Sequence, residues 1–355
     1  MDRRDFLKST AGAAALAGSV AGAGTAAVAA PSVVTHRTLP FIMPWRAAVA
    51  GHADDGLRLA RRIESASDGA LRFDIIHGDL IHGDRPPRGA GLAYVPAQLR
   101  VATHPAFAFF AGLPGRSALH ALELDGWLTT GGGQDLWDEL ASAHGFKPLL
   151  AGHGGSDPVL WSRSRIEAPE DVAGRRILAR GLAAEVVRAL GGSPVGADAR
   201  VEETSVEADD LDVVEWGSLV HAAAGGVPAR YPFGLRGAFG SAGAAMSLEI
   251  EIGLWESLPA SQRAIVAAMA AAEFRESVAN AAATRRMTEA ALMARFGAAI
   301  DDPSFEFRSA VDRIAAVVVA HAAAVDAMAR RVNASYAVYR DATTRQAGSG
   351  TGPVA

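Results

Sequence analysis

Residues 166–216 constrain the fold of this chain more than any other stretch. Pro169-Glu170-Asp171-Val172-Ala173-Gly174 reads as one helical turn with acids at its start and a glycine at its end. Ile177-Leu178 then reads as a strand. Ala183-Ala184-Glu185-Val186-Val187-Arg188-Ala189-Leu190 reads as a helix closed by Gly191-Gly192, and Ser193-Pro194-Val195 as a second strand. Such a βαβ-like unit belongs to an α/β lobe. The stretch closes on Asp212-Val213-Val214-Glu215-Trp216, an acid beside an indole where a strand runs out toward a cleft. Glu215 and Trp216 are therefore the first candidate site residues.

The chain has 355 residues, enough for two domains of ordinary size. With 50% hydrophobic and 21% charged residues it is globular. A formal charge of −5 without a basic stripe argues against a nucleic-acid partner. The absence of cysteine excludes disulfides, thiolate metal sites, iron–sulfur clusters and covalently attached haem. At the N-terminus, Arg3-Arg4-Asp5-Phe6-Leu7-Lys8 precedes a run rich in Ala and Gly that ends near Ala27-Val28-Ala29. Residues 1–30 are thus expected to be a twin-arginine export signal, and the mature protein periplasmic. A membrane-anchoring helix is the alternative. The later apolar run 314–328 is broken by His321 and Asp326.

Along the remaining chain, residues 36–46 read as a first strand with its following loop. Residues 54–65 read as an amphipathic helix, and 71–76 as a strand after an Asp68-Gly69 turn. Residues 77–100, with Pro86-Pro87 and several glycines, read as loop. His104-Pro105-Ala106-Phe107-Ala108-Phe109-Phe110 reads as core. A strand at 146–150 leads into the loop Gly152-His153-Gly154-Gly155, and 240–248 reads as a strand of small residues. One long helix is expected from Leu258-Pro259-Ala260-Ser261 to Phe296, and another over 309–339, with a frayed tail beyond.

These residues resemble the periplasmic solute-binding subunits of tripartite ATP-independent (TRAP) transporters, in the branch that binds 2-oxo acids and lactate. The pieces that carry the resemblance are the 104–110 segment, 131–140, Glu170 to Gly174, Glu185 to Pro194, Asp212 to Trp216 and Leu254-Trp255-Glu256-Ser257-Leu258-Pro259. The resemblance implies an α/β two-lobed periplasmic binding protein with long bracing helices and a long C-terminal helix. Lobe 1 would comprise 31–152 and 240–300, and lobe 2 153–239. A C-terminal helical region would cover 301–342, and a tail 343–355. Lobe closure on ligand and docking on a membrane permease are implied as well. The C-terminal helix would serve as a homodimer contact or pack on its own lobe.

The resemblance also implies a cleft arginine on the strand after the Glu-Asp turn, whose planar fork suits a carboxylate. Leu178 occupies that position, flanked by Arg176 and Arg180 at strand spacing. Either arginine could supply the charge, or both could be solvated. An asparagine that helps to hold the carboxylate maps to His153, which could equally be an exposed or capping loop residue. A glutamine that helps to hold a cation maps to Asp157. Glu215 matches the acid that coordinates the cation, and Trp216 the pocket wall, with plain structural roles as the alternatives. With Glu215, Trp216 and Asp157 at the metal position, hard oxygen ligands favour Na⁺ or Ca²⁺ bridging an organic acid. The repeat His77-Gly78-Asp79 and His82-Gly83-Asp84 fits no metal signature.

The functional expectation is a non-enzymatic receptor that delivers a small organic acid to a TRAP permease. The alternative is an extracytoplasmic sensor uncoupled from transport. The sequence carries no nucleophile elbow, zinc-protease or phosphate-loop motif.

Overall fold

Two sheets organise the molecule, and the chain passes between them on paired strands. The computed structural model describes residues 36–45, 52–77, 91–154, 159–196, 211–216, 218–237, 239 and 243–349. The export signal, Asp157 and the histidine–aspartate repeat beyond His77 lie outside the described residues. In chain order the elements begin with β1 (Arg37–Met43), α1 (His52–Ala66), β2 (Leu71–His77), β3 (Leu92–Pro96), α2 (Ala108–Ala111), α3 (Ala121–Thr130) and α4 (Gly133–Ser142). They continue with β4 (Phe146–His153), β5 (Val159–Ser162), β6 (Arg176–Leu178), α5 (Gly181–Ala189), β7 (Ser193–Val195), β8 (Val213–Trp216), α6 (Leu219–Ala224) and β9 (Phe233–Arg236). The chain then forms β10 (Ala245–Glu251), α7 (Ile252–Ser257), α8 (Ala260–Phe296), β11 (Ala299–Asp301), α9 (Phe305–Ala324) and α10 (Ala327–Ser349).

The first lobe is built on the sheet β2-β1-β3-β10-β4, the second on β11-β9-β5-β8-β6-β7. In the second, β6, α5 and β7 form the βαβ unit expected from the sequence, with β6 parallel to β7 on one side and to β8 on the other. The chain leaves the first sheet after β4 and returns to it at β10. These two strands are antiparallel partners, so both crossings leave from one edge of the first sheet. The long helix α8 packs on α1 and β4 of the first lobe and on α6 of the second. Pro259 caps its start and Gly297, at φ 64°, its end. Ser261, expected near the cap, lies inside the helix.

Several expected elements differ. Residues 92–96 are a buried central strand rather than loop, with all five residues buried between β1 and β10. A strand covered on both faces shows a continuous apolar run instead of alternation. β4 continues through His153, beyond the expected loop boundary. β11, at the end of the expected first-lobe segment 240–300, adds to the second sheet. The expected helix 309–339 is two helices that break after Ala324. Asp326 makes the break, accepting from Ala329 N–H at 2.7 Å while His104 Nε2 stands 3.0 Å from its other oxygen. α10 runs on to Ser349, through most of the expected tail.

α10 packs on its own lobe, the plainer of the two roles considered for it. Tyr336 lies edge-on to Phe109 at 5.4 Å and to Trp127 at 5.0 Å. Its hydroxyl accepts from Leu119 N–H at 2.7 Å and donates to Ser117 O at 3.0 Å. Phe110 stacks between Trp127 and Trp137 at 5.1 and 5.2 Å, which makes the 104–110 segment core as expected. No helix among the described residues is long and apolar enough to cross a membrane.

The 3₁₀ turn Ala97–Ala102, which faces the second lobe, is fixed from beneath by a buried ion pair. Arg100 and Glu249 are 2% and 1% exposed, and Arg100 Nε donates to the carboxylate at 3.0 Å. The guanidinium also lies over the Phe146 ring at 4.8 Å. Removing one partner strands the other charge in the core. Glu249→Ala should therefore cost about 3–5 kcal/mol in urea unfolding, whereas the joint change Arg100→Met with Glu249→Leu should recover most of it.

Candidate functional site

β8 ends at Trp216, one residue past Glu215, at the carboxyl end of the parallel strands where α/β sheets open their clefts. Register fixes which arginine accompanies this pair. Ile177 pairs with Val213 and Leu178 with Val214, so the next two residues, Ala179 and Arg180, come level with Glu215 and Trp216. Arg176 lies at the opposite end of β6, exposed and level with Asp212, which accepts its backbone N–H at 2.8 Å. Arg176 and Arg180 share a face by parity, yet only Arg180 is at the cleft end. There it begins α5: it is the extended N-cap, followed by Gly181 at φ 57°. Gly181 also lies against Val101 and Gln98 of the first lobe, where an added Cβ would be 3.5 and 3.7 Å from their side chains.

Burial pushes the Glu215 carboxyl up to about 7, against the opposing pull of the Arg180 charge. At neutral pH the group is therefore poised between its two states. A hard cation beside it would hold it ionised, which fits the expected Na⁺ or Ca²⁺ chemistry. Among the described residues no group of three or more His, Asp or Glu side chains lies close enough to hold a metal. A cation here would draw its remaining oxygens from backbone carbonyls or from the ligand.

The other sequence candidates fall into two groups. Leu178 is 1% exposed in an apolar cluster with Trp161, Val214 and Trp216, so it supports the site from below and offers no polar atom. Trp216, 8% exposed, joins the same cluster, as its core role would have it. His153 is not an exposed loop residue. It ends β4 at 4% exposure, its N–H donates to Ser277 Oγ of α8 at 3.0 Å, and its ring meets Phe274 edge-on at 6.4 Å.

A second group of polar residues, Tyr94, Asp55, Glu273, Ser218 and His221, was not among the sequence candidates. Tyr94 of β3 is fully buried, and its hydroxyl has no hydrogen-bond partner among the described residues. Burial, then the nearby Asp55 and Glu273 charges, push its phenol well above the usual range. Position 152 must be glycine because a Cβ would fall 2.4 Å from that hydroxyl. From the second lobe, Ser218 caps α6, accepting His221 N–H at 3.3 Å, and its Oγ lies 2.9 Å from His221 Nδ1. His221 Nε2 stands 3.7 Å from Asp55 Oδ2 of α1. The Ser218 hydroxyl is thus engaged as a helix cap. A serine three residues before His221 was the one local signal for this group.

A separate cavity of about 500 Å³ lies between the Ala97–Ala102 turn, α5 and α9, with Val101, Leu182, Val318 and Ala322 in its walls. It begins at Gly181 but contains none of the predicted site residues.

No family model matches the chain. Solved structures do. A TRAP transporter solute binding protein from Bordetella bronchiseptica, with copurified calcium and picolinate in its site, is 18% identical over 89% of this chain and 95% of its own, with a TM-score of 0.80. A TRAP periplasmic solute binding protein from Pseudoalteromonas atlantica with bound sodium and pyruvate is 18% identical over 89% and 97%, with a TM-score of 0.79. A third, from Colwellia psychrerythraea with bound calcium and pyruvate, is 17% identical over the same shares, 89% and 97%, with a TM-score of 0.79. The chain therefore has the two-lobed fold of TRAP-type periplasmic binding proteins, long helices included.

The Glu215 carboxyl makes stability pH-dependent in a defined direction. Its folded value of about 7 exceeds the ordinary 4.5, so the folded state holds the extra proton between those values. Stability should fall as pH rises through that window, by about 3 kcal/mol at most. In urea melts at pH 4.5, 6 and 7.5 without added cation, Glu215→Gln should lose this part of the slope.

Proposed function

We propose that this chain is an extracytoplasmic solute receptor. It captures a small organic acid, a 2-oxo or 2-hydroxy acid, between its lobes together with Na⁺ or Ca²⁺ and passes it to a TRAP-type membrane permease. The observation that carries this reading is the juxtaposition of Glu215, Trp216 and Arg180 at the cleft end of β8 and β6, with the carboxyl pushed up to about 7 by burial. The ligands of the similar structures, pyruvate or picolinate with sodium or calcium, support the choice of chemistry. Export by the twin-arginine route and residence in the periplasm belong to the same reading, on the strength of Arg3-Arg4.

Within it, the roles divide by chemistry. Arg180 receives the ligand carboxylate in place of the arginine that Leu178 displaces. Glu215 holds the cation from the protein side, with Asp157 as a second oxygen donor. Trp216 and Tyr94 bound the pocket, and His153 stands where the family resemblance places a carboxylate contact. Arg176 is a surface residue. Binding closes the lobes, and the closed form is what a permease would distinguish from the empty receptor. A sensor uncoupled from transport is the second reading, favoured by the replacement at Leu178; it predicts binding without transfer to any permease.

Titration calorimetry with pyruvate tests the proposal. Affinity should require Ca²⁺ or Na⁺ and should fall about 10–100-fold in Arg180→Ala, the loss of a charge-assisted hydrogen-bond pair. In Arg176→Ala it should stay within about twofold, as for a surface charge. Because the cation displaces the Glu215 proton below about 7, cation affinity should weaken about tenfold per pH unit under that value. Pyruvate binding undiminished by chelator, sodium-free buffer and Arg180→Ala would overturn it.

A further inference from the structure

A polar contact also joins an element of each lobe. Asp55 belongs to α1 of the first lobe and His221 to α6 of the second, and His221 Nε2 approaches Asp55 Oδ2 to 3.7 Å. That is inside ion-pair range and just outside direct hydrogen-bond range, so a small further approach of the lobes completes the bond. We propose that His221 and Asp55 form a latch between the lobes, poised in this structure and biasing the ligand-free protein toward closure.

Both sides of the contact are prepared for it. On the second lobe, Ser218 Oγ lies 2.9 Å from His221 Nδ1 and also accepts the His221 N–H at 3.3 Å. A serine hydroxyl that accepts the backbone N–H is free to donate its own proton to Nδ1. The proton of the neutral imidazole is then on Nε2, aimed at Asp55. His221 is only 9% exposed, so its ring is held by packing as well. On the first lobe, Asp55 Oδ1 receives Arg58 Nη2 at 2.8 Å, which orients the carboxylate. Arg58 is anchored in turn by Glu273 of α8, which is fully buried and which Arg62 also reaches at 3.1 Å.

The acceptor is therefore fixed through α1 onto α8, and α8 is the element that packs on both lobes. A contact between two prepared groups loses less side-chain entropy on forming than one between free surface residues. The strength of the latch sets how much of the empty protein is already closed. A stronger latch slows capture, because ligand enters the open form only, and it lengthens the lifetime of the closed complex.

The inference rests on the receptor reading only in that lobe closure is the functional motion, and its test needs no ligand. The chain has no cysteine, so Ser142→Cys on α4 and Ala173→Cys in the second lobe, both exposed, can carry unique spin labels. Interlobe distances should show a closed population in the ligand-free protein. Asp55→Asn keeps the shape and an acceptor for Arg58. It should reduce that population several-fold, as should His221→Phe, and the double variant should go no further than either alone. If His221→Phe folds poorly, Asp55→Asn decides by itself. Unchanged distance distributions in Asp55→Asn, or additive losses in the double variant, would overturn the latch. Failure of pyruvate to bind would bear on the receptor reading and leave the distances untouched.

Discussion

Holding a carboxylate at the buried end of a strand costs free energy unless a positive charge shares its site, and Glu215 is placed under that constraint. Arg180 meets part of it, which is why the carboxyl is pushed only to about 7 despite its burial. The rest of the local structure follows from supplying Arg180 at the right height. β6 must end at Leu178 so that the chain can turn outward, and Gly181 at φ 57° lets α5 begin without delay. Leu178 and Trp216 belong to one apolar cluster of this sheet. In the proposed site, leucine at position 178 adds to the apolar cluster beneath β8 and leaves the positive charge to Arg180.

The connections between lobes bear on the closure proposed for this arrangement. β4 and β10 are paired partners at one edge of the first sheet, and each leads to or from the second sheet by a short segment. These two crossings are rooted side by side, and the chain crosses again along α8 to β11 and from α9 to α10. α8 limits the range because it packs on β4, α1 and α6 together. The walls that approach on closing are stiffened from behind: the 97–102 turn by the Arg100–Glu249 pair, and α1 by Arg58 and Glu273. Buried ion pairs contribute little net stability, but they fix geometry, and fixed walls are what a closing cleft requires.

Much of this frame was legible in the chain because glycine, proline and acid positions punctuate it. Pro169, Gly174 and Gly191 bracket β6 and α5, and Gly297 ends α8 where the pattern places it. The illegible parts share one cause, which is dependence on partners distant in sequence. The α9–α10 break has no glycine or proline to announce it, and arises because Asp326 meets His104. β3 read as loop because its five buried residues follow a segment rich in glycine and proline. Its central place is set by pairing with β10, far along the chain. Parity alone could not choose between Arg176 and Arg180, since both lie on one face. The strand register against β8 decides it.

The same dependence explains why the first-lobe half of the site was missed. Asp55 and Arg58 read as ordinary charges on the first turns of an amphipathic helix, and Glu273 as one of three acids on α8. Packing α1 against α8 buries Glu273 completely and forces it to take both Arg58 and Arg62. Arg58 is then oriented, and it orients Asp55 in turn. An acid on an exposed helix would point anywhere; this one is held by Arg58, with its other oxygen 3.7 Å from His221 Nε2. Charge on the second lobe is set by strand ends, and charge on the first by a buried helix contact. Closure is the event that brings these two independently fixed sets into one field.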